Sequence, residues 1–308
     1  MIYICIPVFN RVAYTSKCIQ SIKRQSYTDY SIIICDDGST DGTSDLISSE
    51  FPDVMIIKGY GNLWWSGGTN KCVEYALEKA IPNDYIFTLN NDTEIATDTL
   101  QILINFSRDH PDSIIACGNY FNNDRNRLEG TAFVARGKWP FSLYHRLVFP
   151  WGQDVTKLDS LVYEVNSVSG KGVLIPVDVF RKIGFYNSEK LPQYHGDTEF
   201  TRRAFYAGFK IFLNLNAIIY TDQNASGIGQ VNSTVSLKEF IISFRSLRSE
   251  NHLASLYQRS RLIYGKKWLI YFLPNISSII VRFIIRYFKS LMKQLQSWVS
   301  VLSVNHKN

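Results

Sequence analysis

The sequence contains no G-x-G-x-x-G and no G-x-x-x-x-G-K-[ST], which argues against a dinucleotide fingerprint and a P-loop. Cysteine is sparse. Cys5, Cys18, Cys35, Cys72 and Cys117 are odd in number, scattered and without C-x-x-C pairing. Lying mostly in apolar segments, they read as buried free thiols of a reducing compartment. The five histidines show no metal-ligand spacing. Internal repeats and low-complexity linkers are also missing. No signal peptide is expected, because Met1-Ile2-Tyr3 runs straight into a strand-like segment. The expected location is therefore the cytosol or a cytosol-facing membrane surface. Acidic residues nearly vanish from Lys238 onward, where 12 Lys and Arg face only Glu239 and Glu250, a balance of +10. With +6 overall, the preceding residues carry −4. Basicity confined to a tail disfavours a nucleic-acid-binding body and points to a tail that meets something anionic.

What is present is enough for a large core: 308 residues, 45% of them hydrophobic and 19% charged. Ile2 to Val8, Ser31 to Cys35, Val54 to Ile57 and Tyr85 to Leu89 are short apolar, β-branched runs, the pattern of strands covered on both faces. Helical spacing separates them: Cys18, Ile19 and Ile22 behind a Thr15 cap, a short stretch around Ser44 to Ser49, and Cys72 to Leu77 behind Gly67-Gly68. Such alternation predicts an α/β domain with a mainly parallel sheet flanked by helices. The stretch from Gly118 to Glu164 is less regular. Its rings, Phe121, Phe133, Trp139, Phe141, Tyr144, Phe149 and Trp151, read chiefly as core.

Three acidic clusters fall at strand or loop ends. Asp36-Asp37 precedes Gly38-Ser39, where a carboxylate can accept from a ribose hydroxyl or a base N–H, or simply form a helix-entry turn. Asn90-Asn91-Asp92 ends the Tyr85 run, at the sheet edge where open α/β folds bind ligands. Asp92 suits a hard divalent cation, or with Thr93 it caps a helix starting near Ala96. The third cluster is His195-Gly196-Asp197-Thr198-Glu199-Phe200, leading into Arg202-Arg203. Its carboxylates suit a helix N-terminus electrostatically, and Asp197 could take a proton at a pocket edge. His195 reads as structural or acceptor-contacting rather than as a metal ligand.

Together these segments resemble family 2 glycosyltransferases of GT-A fold, especially rhamnosyltransferase-like members that build bacterial surface polysaccharides. Pro7-Val8-Phe9-Asn10 and Asp36-Asp37-Gly38-Ser39-Thr40-Asp41 are similar to the two nucleotide loops. Asn62 to Asn70 resembles the glycine-rich helix opening, and Leu89-Asn90-Asn91-Asp92-Thr93 the asparagine variant of D-x-D. Gly170-Lys171-Gly172 to Pro176, with Gly184-Phe185, resembles the strand and short helix before the catalytic residue. Gly196 to Phe200 with Arg203 resembles E-D-x-D-L-x-x-R. The likeness covers roughly Met1 to Gly227.

The resemblance implies an inverting hexosyltransferase using a nucleoside diphosphate sugar (dTDP-rhamnose-like or a UDP-sugar) and Mg²⁺ or Mn²⁺. The acceptor would be a glycan or lipid-linked saccharide of O-antigen or capsule synthesis. It assigns Asp197 as base and Asp92, with Asp222, as metal ligands. Pro7, Val8, Phe9, Asn10, Asp36, Asp37, Ser66, Gly67, Asn70, Asn90, Asn91 and Arg203 fall to the nucleotide sugar. Trp65, His195 and Glu199 fall to the acceptor, with Trp64 and Trp65 able to stack on a sugar face. Two departures stand out: Gly196 replaces the Glu of Glu-Asp, and Asp222 stands where relatives often carry a metal-binding His. The rivals are a sugar-nucleotide pyrophosphorylase, whose G-x-G-T-R loop is missing, and a non-catalytic carbohydrate-binding scaffold, which loss of Asp92 or Asp197 would mark.

This divides the chain into a catalytic domain, 1–230, and a basic helical region, 231–308. In the latter, Ile276, Ile279, Ile280, Phe283, Ile284, Tyr287, Phe288 and Leu291 form one helical face opposite Ser278, Arg282, Arg286, Lys289 and Lys293. Pro274, Asn275, Arg282 and Arg286 make Trp268 to Phe288 a poor transmembrane span. A helix lying on anionic lipid at the cytoplasmic face of the inner membrane fits better. The alternatives are docking on the catalytic domain or on a second copy of the chain.

Overall fold

The computed structural model describes residues 1–130, 132–135, 145–222 and 236–305, of which 134–135, 145–147 and 293–305 are described by backbone alone. The chain forms two compact units, Met1–Ala225 and Ser226–Asn308. The first begins β1 (Ile2–Val8), α1 (Val12–Lys23), β2 (Tyr30–Asp36), α2 (Thr43–Glu50), β3 (Met55–Lys58), α3 (Trp64–Leu77) and β4 (Tyr85–Thr88). Then come β5 (Thr93–Ile95), α4 (Thr99–Asp109) and β6 (Ile114–Phe121). Short strands follow: β7 (Arg127–Leu128), β8 (Ala132–Ala135), β9 (His145–Leu147), β10 (Gln153–Asp154), β11 (Val162–Glu164) and β12 (Ser167–Val168). The unit closes with β13 (Val173–Pro176), α5 (Val177–Ile183), α6 (Gly196–Tyr206) and β14 (Ile211–Thr221).

The main sheet runs β10-β7-β6-β13-β4-β1-β2-β3, with β14 beside β6. β1 pairs in parallel with both β2 and β4, and β14 with β6, while β13 is inserted antiparallel between β4 and β6. Period-two alternation explains why β1 is apolar throughout. Its Ile2, Ile4 and Ile6 enter a core with α1 and α4, and its Tyr3 and Cys5 enter a second core with α3 and α6. The carboxyl ends of β1, β2 and β4 therefore open on one edge, the ligand-binding edge of such sheets. All five cysteines are free and buried, as their apolar settings implied.

Several local expectations are corrected. Thr15 is not a cap: α1 starts at Val12, and buried Thr15 Oγ1 donates back to Arg11 O at 3.1 Å. Asp92-Thr93 does not start a helix, because β5 intervenes and α4 begins at Thr99. Gly67-Gly68 lies inside α3 rather than opening it; a Cβ on Gly68 would stand 2.9 Å from the Pro7 Cβ, so Gly68 lets helix and strand approach. Trp139, Phe141 and Tyr144, the 230/231 boundary and the Lys293 side chain lie outside the described residues. Of the other rings, Phe121 is buried against an exposed Trp151.

The second unit contains α7 (Leu237–Ser243), α8 (Leu253–Tyr264) and α9 (Trp268–Asn305). Phe240 of α7 stacks on Phe283 of α9 at 3.9 Å, and Tyr257 of α8 meets Trp268 edge-on at 5.0 Å. Pro274 lies inside α9 without ending it.

Candidate active site

The turn after β1 is laced to the turn after β2. Asn10 N donates to Ser39 Oγ (2.7 Å), Thr40 N to Asn10 Oδ1 (2.9 Å), and Val12 N to Asp41 Oδ2 (2.9 Å). Val8 is buried and its carbonyl accepts from Asp37 N at 2.8 Å, whereas Phe9 is exposed. Asp36 accepts from Ser39 N (2.9 Å) and from Ser44 Oγ. Burial works to raise its pKa, but these bonds and Lys58 prevail and hold it below the usual carboxylate value. Asp37 accepts from Gly61 N (2.7 Å), Leu63 N (2.8 Å) and Trp64 N (3.1 Å), fixing the entry to α3. Both carboxylates thus hold loops, with only their remaining lone pairs left for a ligand.

α3 in turn carries Trp65 to the carboxyl end of β4. Its Nε1 donates to Asn90 Oδ1 at 2.8 Å, and its ring meets Tyr186 edge-on at 5.2 Å. A Cβ on Gly170 would stand 2.4 Å from Trp65 Cη2 and 3.2 Å from Asp197 Cβ, so the indole lies flush on Gly170 beside the Asp197 side chain. Gly170 N donates to Asp197 Oδ2 (2.8 Å), Thr198 N donates to Oδ1 (2.7 Å), and Thr88 Oγ1 donates to Gly170 O (3.0 Å). Trp65 thereby joins the β4 end to the α6 start. Desolvation raises the Asp197 pKa above the ordinary 3.8, against the opposing pull of the Gly170 and Thr198 N–H groups and Lys171. A carboxylate with a raised pKa at a crevice edge is suited to accept a proton.

The α6 entry is held from α3. Ser66 N and Oγ donate to Pro192 O and Leu191 O at 2.8 and 2.6 Å, and Trp65 N donates to Gln193 Oε1 at 3.1 Å. A Cβ on Gly196 would stand 2.4 Å from Ser66 Oγ. That proximity is the physical reason for glycine there. His195, left-handed at φ 71°, provides the turn before it. Other expected ligand contacts are engaged internally. Asn70 exchanges bonds with the Tyr186 backbone at 2.9 and 3.0 Å, and Ser66 and Gly67 are buried in α3. Glu199 pairs with Arg203 (2.9 Å), which also donates to Ile183 O and Phe185 O, so Arg203 fastens α6 to the loop after α5.

Asp92 lies beyond Asn90 and Asn91; Asn91 Nδ2 is buried and donates to Thr15 Oγ1 at 3.0 Å. Asp92 Oδ2 accepts from Arg11 Nη1 at 3.1 Å, while its Oδ1 is buried without a hydrogen-bond partner. Asp92, Thr93, Tyr220 and Asp222 line one small cavity of about 40 Å³, where Tyr14 OH donates to Asp222 Oδ2 at 3.3 Å. Lys17 also lines this cavity, while the orphaned carboxylate oxygen beside a second carboxylate offers oxygen donors of the kind Mg²⁺ or Mn²⁺ takes. Among the described residues no group of three His, Cys, Asp or Glu gathers. Two carboxylates with substrate phosphates and water is the usual arrangement for Mg²⁺. The sequence reading overlooked Arg11, Tyr14, Gln193 and the part played by Gly170. Only Arg11, next to Asn10, and Gly170, inside Gly-Lys-Gly, adjoin a segment that it had singled out.

The model of the family described as glycosyl transferase family 2 matches residues 3–184. The chain is 22% identical over 237 residues to glycosyltransferase GlyG of Streptococcus pneumoniae serotype 4, a match covering 73% of this chain and 72% of that protein. It is 30% identical over 101 residues to the GalNAc(5)-diNAcBac-PP-undecaprenol beta-1,3-glucosyltransferase of Campylobacter jejuni, covering 33% and 32% of the two chains. The fold is similar to that of S. aureus TarS residues 1–349 in complex with UDP, with TM-score 0.53 and 14% identity over 85% of this chain and 69% of that one.

Proposed function

The chain belongs to glycosyl transferase family 2, and from that premise we propose that it is an inverting transferase moving a sugar from a nucleoside diphosphate to a hydroxyl of a growing surface polysaccharide. The carrying observation is that Trp65 lies against both Asn90, beside Asp92, and Gly170, which holds Asp197. Asp197 accepts the acceptor's hydroxyl proton as that oxygen bonds to the anomeric carbon. The bond from that carbon to the phosphate oxygen breaks, and its electron pair leaves with the diphosphate. Asp92 with Asp222 would hold a divalent cation, Mg²⁺ or Mn²⁺, which when bound would supply Lewis-acid neutralisation of the departing charge. The Gly170 and Thr198 N–H groups orient the Asp197 carboxylate, and the turns fixed by Asn10, Asp36 and Asp37 form the nucleotide side. Trp65 and His195 border the acceptor side.

UDP in the TarS complex and the undecaprenol-linked acceptor in the Campylobacter relative's name support a nucleotide donor and a lipid-linked saccharide acceptor. With such an acceptor the reaction would run at the cytoplasmic face of a membrane, and the basic helical unit would be the membrane-facing part. Calorimetric titration with UDP, dTDP and GDP, each with and without Mn²⁺, tests the donor site on wild type and Asp92→Ala. The expected result is metal-dependent binding of one nucleotide, lost in Asp92→Ala. Absence of binding under every condition would bring the non-catalytic scaffold to the front.

A further inference from the structure

Arg11 provides the ion pair that Asp92 makes, and the backbone is strained to place it there. Asn10 (φ 57°) and Arg11 (φ 66°) are consecutive left-handed residues without being glycine, a conformation that persists only where the surroundings over-determine it. The bonds from Ser39, Thr40 and Asp41 to this turn do so. The guanidinium then reaches across 81 residues of sequence to Asp92 Oδ2 at 3.1 Å. The Asp92 side chain is 8% exposed and that of Arg11 41%. The anion is thus buried, the cation reaches solvent, and the remaining carboxylate oxygen faces inward with no partner.

We propose that Arg11 is a transferable counter-ion: without ligand it neutralises Asp92, and when the donor arrives it moves to the diphosphate oxygens and leaves the charge of the Asp92 carboxylate to the divalent cation. The inference rests on the reading of Asp92 as the cation-side carboxylate of a donor site. Three features support it. The planar guanidinium fork matches phosphate as well as carboxylate. An exposed side chain on a fixed turn changes partner without moving the backbone. A dication approaching a carboxylate already paired with a guanidinium meets like charge, and an incoming diphosphate relieves this. Cation and nucleotide then assist each other, and the coupling is reciprocal.

The test is Mn²⁺ affinity, read by paramagnetic resonance of free Mn²⁺ on the full chain, alone and with UDP, dTDP or GDP. Wild type is expected to bind Mn²⁺ alone weakly and to tighten with one nucleotide. Arg11→Gln should bind Mn²⁺ alone about tenfold more tightly, with a smaller gain from nucleotide. Arg11→Lys, which keeps the charge, should stay near wild type. Thermal unfolding of each variant, with melting temperatures near wild type, establishes that folded proteins are compared. Wild-type affinity for Mn²⁺ alone in Arg11→Gln, with nucleotide tightening intact, would overturn the counter-ion and leave the donor site standing. Equal Mn²⁺ binding by Asp92→Ala and wild type would instead remove the donor-site reading itself.

Discussion

A methyl group on Gly170 would stand 2.4 Å from the Trp65 ring, so Gly170→Ala must displace the indole or the segment whose N–H holds Asp197. Displacement of a catalytic group by about 1 Å costs on the order of 10² in rate, and Gly170→Ala is expected to lose at least that in kcat. Folding is expected to persist, with a lowered melting temperature. Asp197→Asn should lose about 10²–10⁴ in kcat with nucleotide binding intact by calorimetry; weakened nucleotide binding instead would move Asp197 out of the base role. Burial raises the Asp197 pKa, and a base works only when ionised. The acidic limb of the rate profile is therefore expected above the ordinary carboxylate value of 3.8. Lys171→Met, which removes a cation favouring ionisation, should move that limb further up. The sign for stability is the reverse. The folded state keeps this proton longer than the unfolded chain, so its contribution falls as pH rises from 3.8 through the raised value. Asp197→Asn should flatten that slope in thermal melts.

At the scale of elements, α3 illustrates what was legible and what was not. Its apolar positions Cys72, Val73 and Ala76 carry helical spacing, and the strands before it are buried runs, so their places could be read directly. Its start could not. Trp64 is left-handed and has no side-chain cap; the entry is held by Asp37 from the end of β2, across 24 to 27 residues. The same holds for α1, whose turn is pinned by Ser39, Thr40 and Asp41, so the locally attractive Thr15 cap was misleading. The carboxylates were recognised by type and by position at strand ends. The hydrogen bonds that commit Asp36, Asp37, Asn70 and Arg203 to neighbouring loops come from tertiary approach, which residue type does not encode. Asp37→Ala would leave three N–H groups without their acceptor, each worth about 1–3 kcal/mol if left unsatisfied. The expected loss is about 3 kcal/mol in urea unfolding. Unchanged stability with lost nucleotide affinity would return Asp37 to direct base or ribose recognition.

At the scale of the whole molecule, net positive charge and exposed apolar side chains are concentrated in the second unit. Among the described residues the helical run Leu253–Met292 contains an 18-residue stretch apolar enough to cross a membrane, little of it buried. The single face read from the sequence is divided in the structure. Ile279 is buried and Phe283 packs on Phe240, whereas Leu273, Ile280, Ile284 and Phe288 are exposed. At ~100° per residue, Arg282, Arg286 and Lys289 lie across the helix from that bare apolar arc. An apolar arc with a basic face opposite it fits the boundary between headgroups and acyl chains of an anionic bilayer. The full chain is expected to sediment with phosphatidylglycerol vesicles at about 0.1 M salt and to be partly released at about 1 M, where screening shortens to a few ångströms. Phosphatidylcholine vesicles should hold much less. Ile284→Glu with Phe288→Glu should abolish sedimentation while calorimetric nucleotide binding stays at wild type. Equal binding to neutral and anionic vesicles, resistant to salt, would replace the surface-bound helix with a spanning one. No binding to either, together with a dimer in sedimentation equilibrium that the two glutamates dissolve, would give the apolar arc to a second copy of the chain.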